Sequence, residues 1–75
     1  LQALIEYMAK SLVDDPDQVR VTKISSGHSI IYELRVAEND MGRVIGKNGR
    51  VANALRTLLH VAAAHQGKRA ILEIV

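Results

Sequence analysis

The stretch "DMGRVIGKNGRVANALR", Asp40 to Arg56, places three glycines (Gly42, Gly46, Gly49) and four cationic side chains (Arg43, Lys47, Arg50, Arg56) in a segment with helical apolar spacing. Glycine inside a helix costs about 1 kcal/mol relative to alanine. Gly46 and Gly49, around Lys47 and Asn48, therefore read as a break between two helices. Upstream of the break, Asn39 or Asp40 can cap a short helix through Met41, Val44 and Ile45. Downstream, Val51, Leu55, Leu58, Leu59 and Ala62 form a second stripe from about Arg50 to His65, and Gly67 ends it in the usual C-terminal position.

The flanking sequence extends this corner into a fold. Leu1, Leu4, Ile5, Met8 and Leu12 recur at helical spacing, which predicts an amphipathic helix of about three turns. "DDPD", Asp14 to Asp17, ends that helix because Pro16 disfavours helical backbone at Asp15. Two alternating segments follow, one through Val19 and Val21, the other through Ile30, Tyr32, Leu34 and Val36. "SSGH" between them has the composition of a hairpin turn. The alternation breaks between Val21 and Ile24, which reads as a bulge or the end of pairing. "RAILEIV" closes the chain as a strand, with Leu72 and Ile74 facing a core and Glu73 solvated. The order is α-β-β-α-α-β, an α+β arrangement. A hairpin followed by a two-helix crossover predicts a three-stranded mixed sheet, with the second strand central and the last strand parallel to it. The three helices are expected to cover one sheet face.

Composition narrows the function. Seventy-five residues are read as one domain spanning 1–75, and a chain of this size buries only roughly 60% of its unfolded surface. A deep catalytic pocket is hard to build from so little material, and an enzyme is not expected. The 48% hydrophobic and 24% charged content is that of a folded globule. No cysteine is present, which removes disulfides and thiolate chemistry and fits a reducing, cytoplasmic setting. No apolar run approaches the roughly 20 residues of a membrane span. The net charge is only +2, but between Arg43 and Arg69 there are six basic residues and no acidic one. Such a segment predicts a local anion-binding surface.

The G-K-N-G corner supplies the parts of a phosphate receptor. Glycines let an anionic backbone approach closely, and the second helix starts with unpaired N–H groups at its positive end. Lys47 adds a mobile charge, Asn48 an amide, and Arg43 and Arg50 flank them. The P-loop of nucleotide-binding proteins is excluded. Only three residues separate Gly42 from Gly46, Asn48 stands where that motif has Ser or Thr, and the corner lies between two helices rather than after a strand. By itself a G-x-x-G is more often a tight corner than a binding site. Metal ligation is not expected, since His60 and His65 are five apart, roughly 140° around a helix, and His28 sits in a turn. No nucleophile–base pair emerges from Ser25, Ser26, His28 and Ser29.

"VIGKNGR", Val44 to Arg50, lying between two short helices, resembles the V-I-G-x-x-G signature of KH domains. The element order resembles their prokaryotic (type II) form. In KH domains this loop clamps the backbone of about four nucleotides. At closer range, "LIEYMAKSLVDDPDQVRV", "LRVAENDMGRVIGKNGR" and "GKRAILEIV" resemble the small bacterial single-KH proteins of the KhpA (YlqC) family, and the resemblance covers the whole chain. It implies single-stranded RNA binding as an RNA chaperone or post-transcriptional regulator. It also implies a KhpB (Jag, EloR)-type KH-domain partner, a homodimer, and a link to cell elongation and envelope synthesis. One departure stands out: the KH pattern has a large aliphatic three residues after the second glycine, where this chain has Ala52. Val51 and Leu55 are then expected to carry the stripe, with a shifted helix phase or a wider groove.

On this reading Gly46, Lys47, Asn48 and Gly49 contact phosphate and sugar, and Arg43 and Arg50 supply flanking charge. Bases would lie against Val44, Ile45 or Leu34, although such aliphatics are more often core, and core is the favoured reading for Val44 and Leu34. Aromatic content is 3%, with Tyr7 and Tyr32 both expected to pack inside, so stacking on aromatics is not the mechanism. The alternative function is a protein–protein interaction module, with the second sheet face (Ile31, Ile71, Val75) as its surface.

Overall fold

The computed structural model describes residues 1–75, and its architecture grows from two alternating segments joined by a two-residue turn. Strands β1 (Arg20–Ser26) and β2 (Ser29–Arg35) pair antiparallel in one register, from Arg20 opposite Arg35 to Ser26 opposite Ser29. Gly27 takes the positive φ of 60° that such a turn needs at its first position. Strand β3 (Arg69–Ile74) runs parallel to β2, with Ser29 opposite Arg69 and Leu34 opposite Ile74. The sheet order is β1-β2-β3. The sheet is therefore mixed with β2 central, as the hairpin and the helical crossover require. Helices α1 (Gln2–Leu12), α2 (Met41–Ile45) and α3 (Arg50–His65) complete the α-β-β-α-α-β order.

One sheet face is buried beneath the helices. Val21, Ile30, Tyr32, Leu34, Ala70 and Leu72 from the strands join Ile5 and Ala9 of α1, Val44 of α2, and Leu55, Leu59 and Ala63 of α3. Full burial of side chains such as Leu34 and Leu59 stabilises by roughly 1.5–3 kcal/mol each. The alternation break after Val21 is neither a bulge nor the end of pairing. The register continues to Ser26, and Ile24 simply lies on the open face opposite Ile31.

A core two layers thick admits a narrower stripe from each helix than the apolar spacing suggested. Helix α1 buries only Ile5 and Ala9, one i, i+4 ridge, and leaves Leu4 and Leu12 exposed. Tyr7, expected to pack, is 72% exposed, whereas Tyr32 is buried. In α3 the inward residues are Ala52, Leu55, Leu59 and Ala63, and Leu58 is 54% exposed. Ala52 thus occupies the inward position itself, and the phase of the helix is not shifted. Its small side chain and that of Ala63 let α3 lie close to the sheet.

Asp40 is the one buried charged residue. A 3-10 turn over Glu38–Asp40 precedes α2, but the Asp40 side chain does not cap that helix. Its carboxylate instead accepts the backbone N–H groups of Asp14 at 3.0 Å and Asp15 at 3.1 Å. It also lies 3.3 Å from Arg43 Nε. The "DDPD" linker is thereby tied to the start of α2 by bonds to a charged acceptor, worth roughly 1.5–3 kcal/mol each.

The glycines of the corner differ in what a side chain would meet. At Gly46 (φ 76°, ψ 171°) a Cβ would stand 2.5 Å from Val51 Cγ2 and 2.8 Å from Val51 N. At Gly49 (φ 75°) the nearest neighbour is Asn53 Nδ2 at 3.9 Å, and at Gly42 nothing lies within 4 Å. Gly46→Ala is expected to lose about 3 kcal/mol or more, combining backbone strain with a clash. Gly49→Ala is expected to lose about 1–2 kcal/mol, and Gly42→Ala to gain about 0.5–1 kcal/mol. Urea denaturation of the three variants checks the ranking; equal losses at Gly46 and Gly49 would refute the close approach to Val51.

Candidate nucleic-acid interface

The corner is a 3-10 turn over Lys47–Gly49, entered at Gly46 and leading directly into α3. Its backbone doubles back through positive φ at Gly46, Asn48 (58°) and Gly49. Asparagine tolerates the left-handed region better than most side chains, which accounts for Asn48 between the glycines. The turn is closed by Gly49 N–H donating to Gly46 O at 3.1 Å. No side chain caps the start of α3. Its first-turn N–H groups and partial positive charge therefore face the turn. Lys47, Asn48 and Arg50 are exposed, and neither Lys47 nor Arg50 has a carboxylate partner.

The other residues anticipated here divide. Arg43 is held in ion pairs with Asp14 at 2.7 Å and Asp40 at 3.3 Å, so its charge is largely compensated within the fold. Val44 is fully buried, as is Leu34 on the central strand. Neither offers a surface to a base; both are core, the reading the sequence favoured over base contact. Ile45, 37% exposed, is the aliphatic that remains accessible beside the loop.

The strand that borders the corner is β3, and its outer edge is the feature the sequence did not reveal. Arg69 N–H donates to His28 O and Val75 N–H to Leu34 O, so the odd-numbered residues of β3 point their backbone groups inward to β2. Ala70, Leu72 and Ile74 point theirs outward. Along this edge α3 presents Asn53, Arg56 and His60, spaced i, i+3, i+7. Arg56 Nε donates to the outward carbonyl of Leu72 at 3.3 Å, and Arg56 Nη1 to Asn53 Oδ1 at 3.3 Å. Asn53 and Arg56 thus line the unpaired edge of β3, and a hollow lined by His60, Lys68, Arg69 and Ala70 lies farther along α3. The alignment of this polar stripe with a free strand edge depends on the sheet order. The turn offers positive charge and N–H donors, and the edge offers alternating donors and acceptors.

On the other flank of α3, Tyr7, Met8 and Leu12 of α1 and Val51 and Ala54 of α3 line an open apolar groove of about 500 Å³, with Arg50 at its rim.

The family described as KhpA/KhpB, KH domain, matches residues 2–74. The chain belongs to this KH-domain family. Its element order and mixed sheet are those of the type II KH fold. Among its relatives, a protein of Clostridium acetobutylicum named RNA-binding protein KhpA is 51% identical over 75 residues, covering 100% of both chains. Proteins of the same name from Caldanaerobacter subterraneus and Aquifex aeolicus are 54% identical over 72 residues (96% of each chain) and 48% identical over 75 residues (100% of this chain, 95% of the relative). No solved structure matches it. Gly46, Lys47, Asn48 and Gly49 carry the G-x-x-G spacing.

Arg43 and Arg50 flank the loop symmetrically in sequence but not in space, which makes them separable. Arg43→Gln is expected to lower stability by about 1–2 kcal/mol, since it strips a partner from the buried Asp40. Arg50→Gln is expected to leave stability within about 0.5 kcal/mol while weakening polyanion binding. Thermal melts and heparin-column retention of both variants read the two effects; a stability loss at Arg50 without one at Arg43 would reverse the assignment.

Proposed function

We propose that the chain is a single-stranded RNA-binding protein without catalytic activity, which clamps the RNA backbone at the G-K-N-G loop. The observation that supports this best is the exposed turn at the uncapped start of α3, whose Lys47 and Arg50 have no carboxylate partner, in a chain whose relatives are named RNA-binding proteins. Gly46, Lys47, Asn48 and Gly49 contact phosphates and sugars, and Arg50 supplies charge along the path. Ile45 offers apolar contact, and bases meet the outward groups of Ala70 and Ile74. Phosphate contacts give affinity without sequence information. Aromatic stacking is absent along this edge, so recognition is permissive, in keeping with an RNA chaperone or post-transcriptional regulator of the cytoplasm. The joint KhpA/KhpB description of the family supports a KhpB-type KH protein as partner, and a role in cell elongation and envelope synthesis is part of the same proposal.

A second reading, compatible with the first, is a protein–protein interaction module. The apolar α1–α3 flank supports it, with Tyr7, Leu58 and Val61 more than half exposed, and so does the half-buried Ile31 and Ile71 of the open sheet face. One short domain holds few nucleotides and gains avidity when paired. Such pairing predicts a homodimer, or a heterodimer with a second KH protein, in sedimentation without RNA.

The clamp is tested by Lys47→Asp combined with Asn48→Asp. Both side chains are exposed, so circular dichroism should stay native while affinity for a mixed-sequence single-stranded RNA falls about tenfold or more, at least about 1.4 kcal/mol. Fluorescence anisotropy across a salt series measures it. Unchanged affinity at moderate salt would remove the loop from the interface.

A further inference from the structure

The positive charge of this protein does not end at the loop. Helix α3 has 16 residues, about 24 Å at ~1.5 Å per residue, and a second basic cleft lies at its far end. There the β1–β2 turn and the α3–β3 turn stand side by side, held by Arg69 N–H donating to His28 O at 3.2 Å. Between them is a cleft of about 280 Å³ lined by Lys23, Ser25, His28, Gln66 and Lys68, with no carboxylate. No side chain rises from Gly27 or Gly67, and nothing lies within 4 Å of where their Cβ atoms would be, so the rim is open. Lys23 and Lys68 have no ion-pair partner.

The ordinary explanation for basic residues at such a place is compensation of the helix C-terminus, worth about 0.3–1 kcal/mol. That explanation is incomplete here, because the carbonyls of Ala63 and Ala64 already accept the N–H groups of Gln66, Gly67 and Lys68, and Lys23 and His28 are supplied by the hairpin rather than by the helix itself. Lys68 lines the cleft and also lines the adjoining hollow of about 200 Å³ formed with His60, Arg69 and Ala70. Cations therefore recur along the length of α3, with Lys47 and Arg50 at its start, Arg56 midway, and Lys68 and Lys23 at its far end.

We propose that the cleft between the two turns is a second phosphate site for the same RNA strand, beyond the nucleotides held at the loop. The inference rests on the proposed RNA binding and extends it: the footprint exceeds the roughly four nucleotides of a KH loop, and the extension is read through phosphates alone. A free phosphate is the poorer ligand, because an open, solvated cleft with a few screened charges holds a tethered anion far better than a diffusing one.

The test uses a uridine tetranucleotide, bare or extended at one end by four abasic ribose-phosphate units, which add phosphates without adding bases or alternative registers. Wild-type protein should bind one of the two extended oligonucleotides more tightly than the bare one, with a steeper salt dependence of about 0.7 per added phosphate contact. Extension at the opposite end should have no effect, because a clamp fixes strand polarity. Lys23→Glu with His28→Glu should erase the gain and leave tetranucleotide affinity within about twofold, an effect of at most about 0.4 kcal/mol. No gain at either end, a gain that survives in the double variant, or equal loss of the bare tetranucleotide would each overturn the proposal. Inorganic phosphate competing with the gain at low millimolar concentration would reassign the cleft to free anions. Failure of wild-type protein to bind any of the oligonucleotides would instead defeat the RNA-binding reading, and the second site with it.

Discussion

The approach of Gly46 to Val51 governs the interface. A backbone with no side chain lies so close to the first turn of α3 that a Cβ would fall within 2.9 Å of three Val51 atoms. Because the chain must reverse in that space, Lys47 and Asn48 are turned outward and α3 starts at Arg50. The start of α3 in turn determines which of its residues meet the sheet. Ala52, Leu55, Leu59 and Ala63 face inward, and Asn53, Arg56 and His60 are carried to the β3 edge. One contact thus places both the cationic turn and the polar stripe. A looser corner would rotate α3, and even a modest rotation of a 3.6-residue helix exchanges Arg56 for a neighbour at the strand edge.

The second fixture is Asp40, and it works on the other side of α2. A five-residue helix is too short to be stable by itself, so α2 needs anchors. Val44 holds it to the core, and the Asp40 carboxylate ties it to the linker after α1 through two backbone N–H groups. Arg43 completes the arrangement by pairing with Asp40 and Asp14. This explains why Arg43, although it belongs to the basic segment, contributes little free charge to the face that Lys47 and Arg50 share. Charge counted along a sequence treats both arginines alike. Only the fold decides which cation has been neutralised.

The features legible in the sequence were those written in local periodicity and turn chemistry. The hairpin, the limits of α3 and the mixed sheet follow from alternation, from Gly67 and from the helical crossover, and all appear in the structure. The G-K-N-G corner was legible because two glycines at that spacing have few other uses. What could not be read was set by the thickness of the core. Tyr7, Leu4, Leu12 and Leu58 fit an apolar period, yet a three-stranded sheet has room for one ridge per helix, and these four fall outside it. The burial of Val44 and Leu34, by contrast, was the favoured reading, and both belong to the core on which strands and helices converge. The β3 edge had no local signature at all. It exists because nothing pairs with the last strand of the order β1-β2-β3.

An unpaired strand edge is ordinarily a hazard, a template for another chain's backbone. In this fold the exposed edge of β3 is shielded by side chains instead of a further strand. Arg56 occupies the Leu72 carbonyl, and Asn53 and His60 stand on either side of it along α3. A neighbouring β-strand would have to displace a guanidinium and approach a row of basic and polar groups. A single-stranded nucleic acid meets no such penalty, because its phosphates are attracted by the same groups that repel a strand and its bases can reach the outward N–H and C=O groups one at a time. On the proposed reading, the stripe on α3 serves both ends at once: it opposes strand pairing at this edge and favours a polyanionic chain there.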